Sequence, residues 1–264
     1  EQLENFNFSL SKFLKRLFIR MERFILKNSK AVLVICLDLL NKVKKEGFEK
    51  KVTLLENFID FDHPEYSEEE IKRKRREYAP EEEKIVLYTG NLQPYQGIPL
   101  LLEAAARIKD ERIIFLFVGG GESALERLKK KARELNISDK VSFIGQVPPS
   151  QIPAFTSLAD VLVSPRLTGT NTPLKIYSFL KSGKPIVATN LWTHTQILND
   201  NISVLVNPDA DSLAHGIVFA LNNEEAKARA RAARRLTEIK YTYPAYRGKM
   251  RDILKKASGS PGKQ

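Results

Sequence analysis

From Lys84 onward, short apolar segments alternate with longer amphipathic ones, and this rhythm constrains the fold more than any other feature of the chain. "KIVLYTG" (84–90), "RIIFLFVGGG" (112–121), "KVSFIGQ" (140–146), "DVLVSPR" (160–166), "PIVATN" (185–190) and "ISVLVNP" (202–208) read as strands with no polar face. Between them, "IPLLLEAAARIKD" (98–110), "ESALERLKKKAREL" (122–135), "SQIPAFTSLA" (150–159) and "PLKIYSFLKSG" (173–183) have helical spacing, and two more helices are predicted from about 209 to 239. Apolar strands that are each followed by a helix build parallel sheets covered on both sides. The pattern predicts an α/β fold, a doubly wound parallel sheet over residues 84–240.

The chain before Lys84 differs. "SLSKFLKRLFIRMERFILKNS" (9–29) predicts a basic amphipathic helix, followed by a strand "AVLVI" (31–35) and a helix reaching Gly47. Phe13, Leu14, Leu17, Phe18, Met21, Phe24 and Ile25 fall at helical spacing, with Lys12, Lys15, Arg16, Arg20, Arg23 and Lys27 around the rest of the helix. Such a face packs against a neighbouring domain or lies on an anionic membrane surface. "KVTLLENFID" (51–60) predicts another strand, and "SEEEIKRKRREY" (67–78) a charged helix opened by a Ser67–Glu70 capping box. "SGSPGKQ" (258–264) reads as a flexible tail.

Composition narrows the function. The net charge of +11 permits a phosphorylated ligand, an anionic membrane or nucleic acid as partner. Nucleic acid is disfavoured, because no recognised binding motif or aromatic stacking platform accompanies the charge. Cys36 is the only cysteine, which excludes an intrachain disulfide and fits a reducing compartment. The three histidines, at 63, 194 and 215, lack metal-ligand spacing, so no metal is expected. With no membrane-spanning run and no signal-peptide core in residues 1–30, the expected location is cytoplasmic.

Ligands of open parallel sheets bind beyond the carboxyl ends of the strands. Four of those ends carry small or polar residues: Gly90-Asn91 through Gln96-Gly97, Gly119-Gly120-Gly121-Glu122, Gly145-Gln146-Val147, and Arg166 through Thr172. Glycines let backbone amides approach a ligand, and helix N-termini attract anions. Thr172 as cap and Pro173 as first residue predict a helix start at Pro173-Leu174-Lys175, where a lysine opposes the helix dipole and points to an anionic partner. A phosphate-bearing ligand, a nucleotide above all, is the expectation. Gly119-x-Gly121-x-x-Ala124 fits a dinucleotide fingerprint, but Ile144-Gly145-Gln146 stands where that fingerprint wants an acid, which disfavours a nicotinamide dehydrogenase. A tight strand-to-helix turn accounts for the glycines equally well. Arg166 reads as a phosphate ligand or as a solvated surface residue. Thr193–Gln196 reads as a capping box that makes His194 structural.

"LYTGNLQPYQGIPLLLEA", "FLFVGGGE", "VSFIGQVP" and "NTPLKIYSFLKSGKPIVAT", in that order, resemble the C-terminal half of retaining glycosyltransferases of the GT-B fold, family four. The resemblance runs from about residue 12 to about residue 254. It implies that residues 1–47 are the end of an N-terminal acceptor domain, and 48–83 an interdomain connection in which "ENFID" (56–60) stands for the family's Asn-Gly-Val-Asp segment. It implies further that 84–240 are the nucleotide-sugar-binding domain, and 241–264 a C-terminal helix and tail. It also implies that the helix at Pro173 holds a donor diphosphate, with Asn171 and Thr172 in the approach loop, Gly145 and Val147 beside the base, and Gly90 in the phosphate loop. The family's active site is a cleft between two domains, so this chain would supply the donor half. Its acceptor, a sugar or a lipid-linked molecule, would be met by an acceptor domain from a separate chain or from further sequence.

The chain departs from the family pattern at four positions. Asn91 and Gln96 stand where the family has Arg and Lys, and Thr170 and Ser178 where it has two Glu residues eight apart. Lys175 and Arg166 are candidates to restore the missing positive charge. The expected function is metal-independent, retaining transfer of a sugar from a nucleoside-diphosphate sugar, with no cofactor besides that substrate. The alternative is a non-catalytic nucleotide-sugar-binding or regulatory module, and peripheral association with the inner membrane surface is a further expectation.

Overall fold

The computed structural model describes residues 12–58, 66–80 and 83–258, with side chains from Arg16 onward. Residues 9–11, expected at the start of the N-terminal helix, Ile59 and Asp60 of "ENFID", and residues 259–264 lie outside the described residues. The chain divides into two compact bodies, one of residues 1–58, 169–171 and 243–264, the other of residues 59–168 and 172–242.

The larger body is built on six parallel strands: β3 (Lys84–Thr89), β4 (Ile113–Val118), β5 (Val141–Gly145), β6 (Val161–Ser164), β7 (Ile186–Thr189) and β8 (Val204–Val206), after β1 (Val32–Val34) and β2 (Val52–Leu54) of the smaller body. Their order across the sheet is β5-β4-β3-β6-β7-β8. The chain therefore winds outward from β3 in one direction, then returns to lay β6 on the other side of it. That reversal between β3 and β6 is the topological switch point, where ligands of such sheets bind.

The unbroken apolar strands follow from burial on both faces. On β3, Val86 and Tyr88 join one core with Phe115 and Phe117, while Ile85 and Leu87 join the opposite core with Leu116 and Val118. Helices α4 (Ile98–Arg107) and α9 (Ala210–Asn222) cover the first core with Leu101, Leu102, Leu213 and Ile217. Helices α6 (Ile152–Leu158), α7 (Lys175–Ser182) and α10 (Glu224–Lys240) cover the second with Phe155, Phe179, Leu180 and Ala233. Truncating a fully buried ring such as Phe179 costs about 3–5 kcal/mol in such a core. Helix α3 (Glu68–Arg75) opens with the expected capping box: Glu70 N–H donates to Ser67 Oγ, and Ser67 N–H to the Glu70 carboxylate. At its end Arg75 binds Asp160 at 2.6 Å and the carbonyl of Glu83 at 2.6 Å, fastening the helix beside β3.

Four local expectations are corrected. The helix expected at Pro173 begins at Lys175, because its first turn closes by bonds from Ile176 N–H to the Pro173 carbonyl and from Tyr177 N–H to that of Leu174. Thr172 makes no capping bond; its hydroxyl is buried without a hydrogen-bond partner. The short helix α8 (Trp192–Thr195) takes Leu191 as its N-cap, so Thr193 lies inside the helix and not at the capping position expected for it. Helix α4 stops at Arg107, where Ile108 turns extended, rather than reaching residue 110.

The smaller body contains α1 (Lys12–Asn28), α2 (Leu37–Lys45), α11 (Tyr243–Ser258) and a parallel pair, β1 (Val32–Val34) with β2 (Val52–Leu54). Val34, Val43 and Val52 form its buried centre, with Leu26 of α1 packed against them. Phe58 packs against Tyr246 of α11, 4.4 Å between ring centroids, with the rings tilted at 44°. Leu17, Phe18, Ile19, Met21, Phe24 and Ile25 of α1 are exposed.

Candidate functional site

The segments leaving β3 and β6 are locked together at the switch point. After β3 the chain passes Gly90 and Asn91 into a short 3-10 turn, Pro94–Gln96, and then through Gly97 into α4. Gly97 has φ +72°, and a Cβ there would sit 1.9 Å from the carbonyl oxygen of Pro165, so only glycine allows this approach. One residue on from Arg166, Leu167 N–H donates to the Tyr95 carbonyl at 2.9 Å. The Arg166 guanidinium lies 5.2 Å from the Tyr95 ring centroid, and its Nε donates to the Thr168 carbonyl. These contacts fix Arg166 at the carboxyl edge of the sheet.

Lys175, the first residue of α7, meets the β3 exit from the other side. Its side chain is half-buried overall, but Nζ is fully buried, without a hydrogen-bond partner, and 4.0 Å from the Tyr88 ring centroid. A Cβ on Gly90 would stand 3.8 Å from that nitrogen. The Tyr88 hydroxyl donates to the Asn91 carbonyl at 2.6 Å, and burial pushes its pKa far up, so it stays neutral. Burial, and then the like charge of Arg166, lower the Lys175 pKa to about 7. Burial also lowers that of Arg166. Gln96 Oε1 and Thr172 Oγ1 are likewise buried without partners. Buried polar groups left without partners are costly, so each of these atoms carries an unmet demand for a hydrogen bond.

Behind these residues lies a closed polar network. His194 is fully buried, with Nδ1 2.9 Å from the Thr189 carbonyl and Nε2 2.9 Å from Ser164 Oγ. A carbonyl can only accept, so Nδ1 carries the proton, and Nε2 accepts from the Ser164 hydroxyl. Burial drops the His194 pKa to about 4, with Lys175 and Arg166 adding to the fall and the Thr189 carbonyl opposing it. The Thr189 hydroxyl donates to the Arg166 carbonyl at 2.5 Å. This neutral histidine ties β6, β7 and α8 together beneath the Arg166 segment.

Of the residues expected to form a site, the structure brings Gly90, Asn91, Gln96, Arg166, Thr172, Pro173, Leu174 and Lys175 to the ends of β3 and β6, with Ser178 one turn further along α7. After β4, Gly119 and Gly120 allow close approaches that a side chain would block. A Cβ on Gly119, at φ +120°, would stand 2.1 Å from the Gly90 carbonyl oxygen, and Gly119 N–H donates to the Gly145 carbonyl. Gly121 precedes α5 (Glu122–Glu134) as its N-cap, and both Gly121 and Glu122 are exposed. Val147 packs against the second core. Thr170 and Asn171 group with the smaller body, where the Cys36 thiol donates to Asn171 Oδ1 at 3.4 Å. Tyr88 and Tyr95 escape sequence reading. The signal for Tyr88 is a polar-tipped ring at the carboxyl end of the strand beside the switch point. Among the described residues no group of three His, Cys, Asp or Glu side chains is placed to hold a metal ion, and no helix is long and apolar enough to cross a membrane.

Residues 69–237 match the family model for glycosyl transferases group 1. The alpha-monoglucosyldiacylglycerol synthase of Streptococcus pneumoniae is 27% identical over 215 residues, 81% of this chain and 48% of that enzyme. The phosphatidyl-myo-inositol mannosyltransferase of Mycobacterium leprae is 29% identical over 155 residues, 57% of this chain and 40% of that enzyme. The chain thus spans about half the length of the curated relatives it matches. Among solved structures, Anabaena Alr3699/HepE in complex with UDP superposes with a TM-score of 0.79 at 16% identity, over 87% of this chain and 65% of that one. A glycosyltransferase from Rickettsia africae superposes equally well, with a TM-score of 0.79 at 20% identity over 96% of this chain and 69% of that one. These likenesses bear out the fold, the α/β architecture of the C-terminal half of a GT-B protein.

Proposed function

The chain belongs to the glycosyl transferases group 1 family, and from that premise we propose that it is the donor-binding half of a retaining, metal-independent glycosyltransferase. The observation that carries this reading is the buried Lys175 ammonium with no hydrogen-bond partner, facing Gly90 at the switch point. A nucleoside diphosphate entering there meets Lys175 and Arg166, together with the backbone N–H groups that open α7. These are the charges that neutralise a departing diphosphate when no metal does so. Lys175 and Arg166 take over from the family's Arg and Lys, replaced here by Asn91 and Gln96. The Thr170 and Ser178 hydroxyls stand where carboxylates usually meet the sugar and ribose.

Two further parts of the reading rest on the relatives. The structures of Alr3699/HepE hold UDP and UDP-glucose, which supports a uridine nucleotide sugar among the donors to test. The Streptococcus and Mycobacterium relatives are named for a glucosyldiacylglycerol product and a phosphatidyl-myo-inositol substrate, which supports a lipid acceptor. An acceptor-binding half completes the enzyme. A second reading, a non-catalytic nucleotide-sugar-binding module, is favoured by the loss of both carboxylates and both loop cations at positions 170, 178, 91 and 96.

The test is calorimetry of UDP, GDP and ADP with the chain in EDTA. One of them is expected to bind. One charge-assisted contact contributes about 1.5–3 kcal/mol, so Lys175→Ala should weaken that binding about tenfold or more. Binding that appears only with Mg²⁺ would overturn the metal-independent part, and sugar transfer in the presence of an acceptor half separates the enzyme from the module.

A further inference from the structure

Lys175 is a charge held in an unusual state, and its surroundings say how it is used. From β3, the Tyr88 ring lies 4.0 Å below Nζ, and the Tyr88 hydroxyl is committed to the Asn91 carbonyl. From the segment after β6 comes Arg166, a like charge, with Tyr95 against it. From α8 comes His194, neutral and fully hydrogen-bonded between Ser164 and Thr189. The only charge acting on Lys175 from these neighbours is repulsive. No hydrogen-bond acceptor reaches Nζ. Toward Gly90, the neighbouring residue has no side chain.

An ammonium in such a place is disfavoured until an anion arrives. Burial without a partner favours the neutral amine, and an opposite charge at contact distance reverses that preference. We propose that ligand binding and protonation are one event at this site: a nucleoside diphosphate that seats its phosphates beside Gly90 draws a proton from solvent onto Lys175 Nζ. The proton comes from water or buffer, the amine lone pair accepts it, and no other bond changes. This inference rests on the nucleotide-binding reading above. It adds that affinity falls as pH rises. The free chain loses the Lys175 proton through about pH 7, so above that pH each bound nucleotide must bring the proton back. Arg166 supplies a constant charge, and Lys175 one that appears on demand.

Calorimetry of UDP, GDP and ADP in buffers of different ionisation enthalpy reads the proton directly. The titrations belong near pH 8, where the nucleotide's terminal phosphate, with its pKa of about 6, is already ionised and contributes no proton of its own. We expect close to one proton taken up per nucleotide by the tightest-binding of the three, and an affinity that falls up to about tenfold per pH unit between pH 7 and 9. Lys175→Arg should bind at pH 8 with no proton uptake, and Lys175→Met should bind weakly with none. Binding by the unaltered chain at pH 8 without uptake overturns the coupling and leaves the nucleotide site standing, as does uptake that persists in Lys175→Met. If none of the three nucleotides binds at pH 6 or pH 8, the donor-site reading falls, and the coupling with it.

Discussion

The Lys175 ammonium sits over the Tyr88 ring, 4.0 Å from its centroid, with no hydrogen-bonding group within reach. The ring is a favourable neighbour of that charge, at a site where Arg166 repels it. A desolvated cation–π contact is worth about 0.5–2 kcal/mol.

Removing the ring should therefore act on anion binding through Lys175. Tyr88→Leu is expected to weaken nucleotide binding about threefold to thirtyfold near pH 6, the range set by the cation–π contact at 1.4 kcal/mol per tenfold. Tyr88→Phe keeps the ring and removes only the bond to the Asn91 carbonyl. It should cost about 1 kcal/mol in stability and leave affinity nearly unchanged. Calorimetry beside urea melts separates the two variants. Equal affinity losses in both would show that the hydroxyl, not the ring, matters.

His194 sets a pH limit on the fold. Its pKa is about 4 in the folded chain against an ordinary 6.5, so between those values the unfolded chain binds more protons. Stability is then fully present above about pH 6.5 and drains away as pH falls toward 4, by about 3 kcal/mol in all. Urea midpoints measured at pH 7 and pH 4.5 should differ by much more in the natural chain than in His194→Asn. A variant with the same pH dependence would assign the acid sensitivity to other groups.

Gly97 is the tightest joint between the two strand exits. Gly97→Ala puts a methyl into the Pro165 carbonyl and forces a left-handed φ of +72° on a residue with a side chain. The expected loss is about 2 kcal/mol or more, with the clash adding to the backbone penalty. The same substitution at Gly121, where a Cβ meets nothing within 4 Å and the backbone is extended, should be nearly silent. Thermal melts of the two alanine variants check the contrast, and equal midpoints would contradict it.

What the sequence discloses and what it hides follow from the range of the interactions. The six strands are legible because both faces of each are covered, so Ile85 to Tyr88 read as one apolar run. The Ser67–Glu70 capping box is legible because it closes within one turn. The start of α7 is misplaced by two residues because Pro173 and Leu174 enter through a tighter turn, while the Thr172 hydroxyl turns inward instead of capping. Lys175 is found by its opposition to the helix dipole, but its platform is not: Tyr88 lies in another element, and within an apolar strand a tyrosine reads as core. The cation–π contact of Arg166 with Tyr95 is hidden for the same reason.

Helix α1 leads to the last prediction. Leu17, Phe18, Ile19, Met21, Phe24 and Ile25 are exposed on it, and Phe24 keeps 69% of its surface open to solvent. Arg16, Arg20, Arg23 and Lys27 flank them on the same helix, and Arg23 is held by Glu46 at 2.7 Å. Apolar side chains bordered by arginine and lysine suit the boundary between acyl chains and anionic headgroups. They also drive self-association in water when left uncovered. The chain is accordingly expected to sediment with phosphatidylglycerol-containing vesicles, much less with purely zwitterionic ones, and less again at high salt. Phe24→Asp with Ile25→Asp should abolish that binding while leaving the melting curve in place, since neither residue joins the buried centre around Val34, Val43 and Val52. A chain that stays monomeric and ignores anionic vesicles would show that this face has no affinity for the membrane surface.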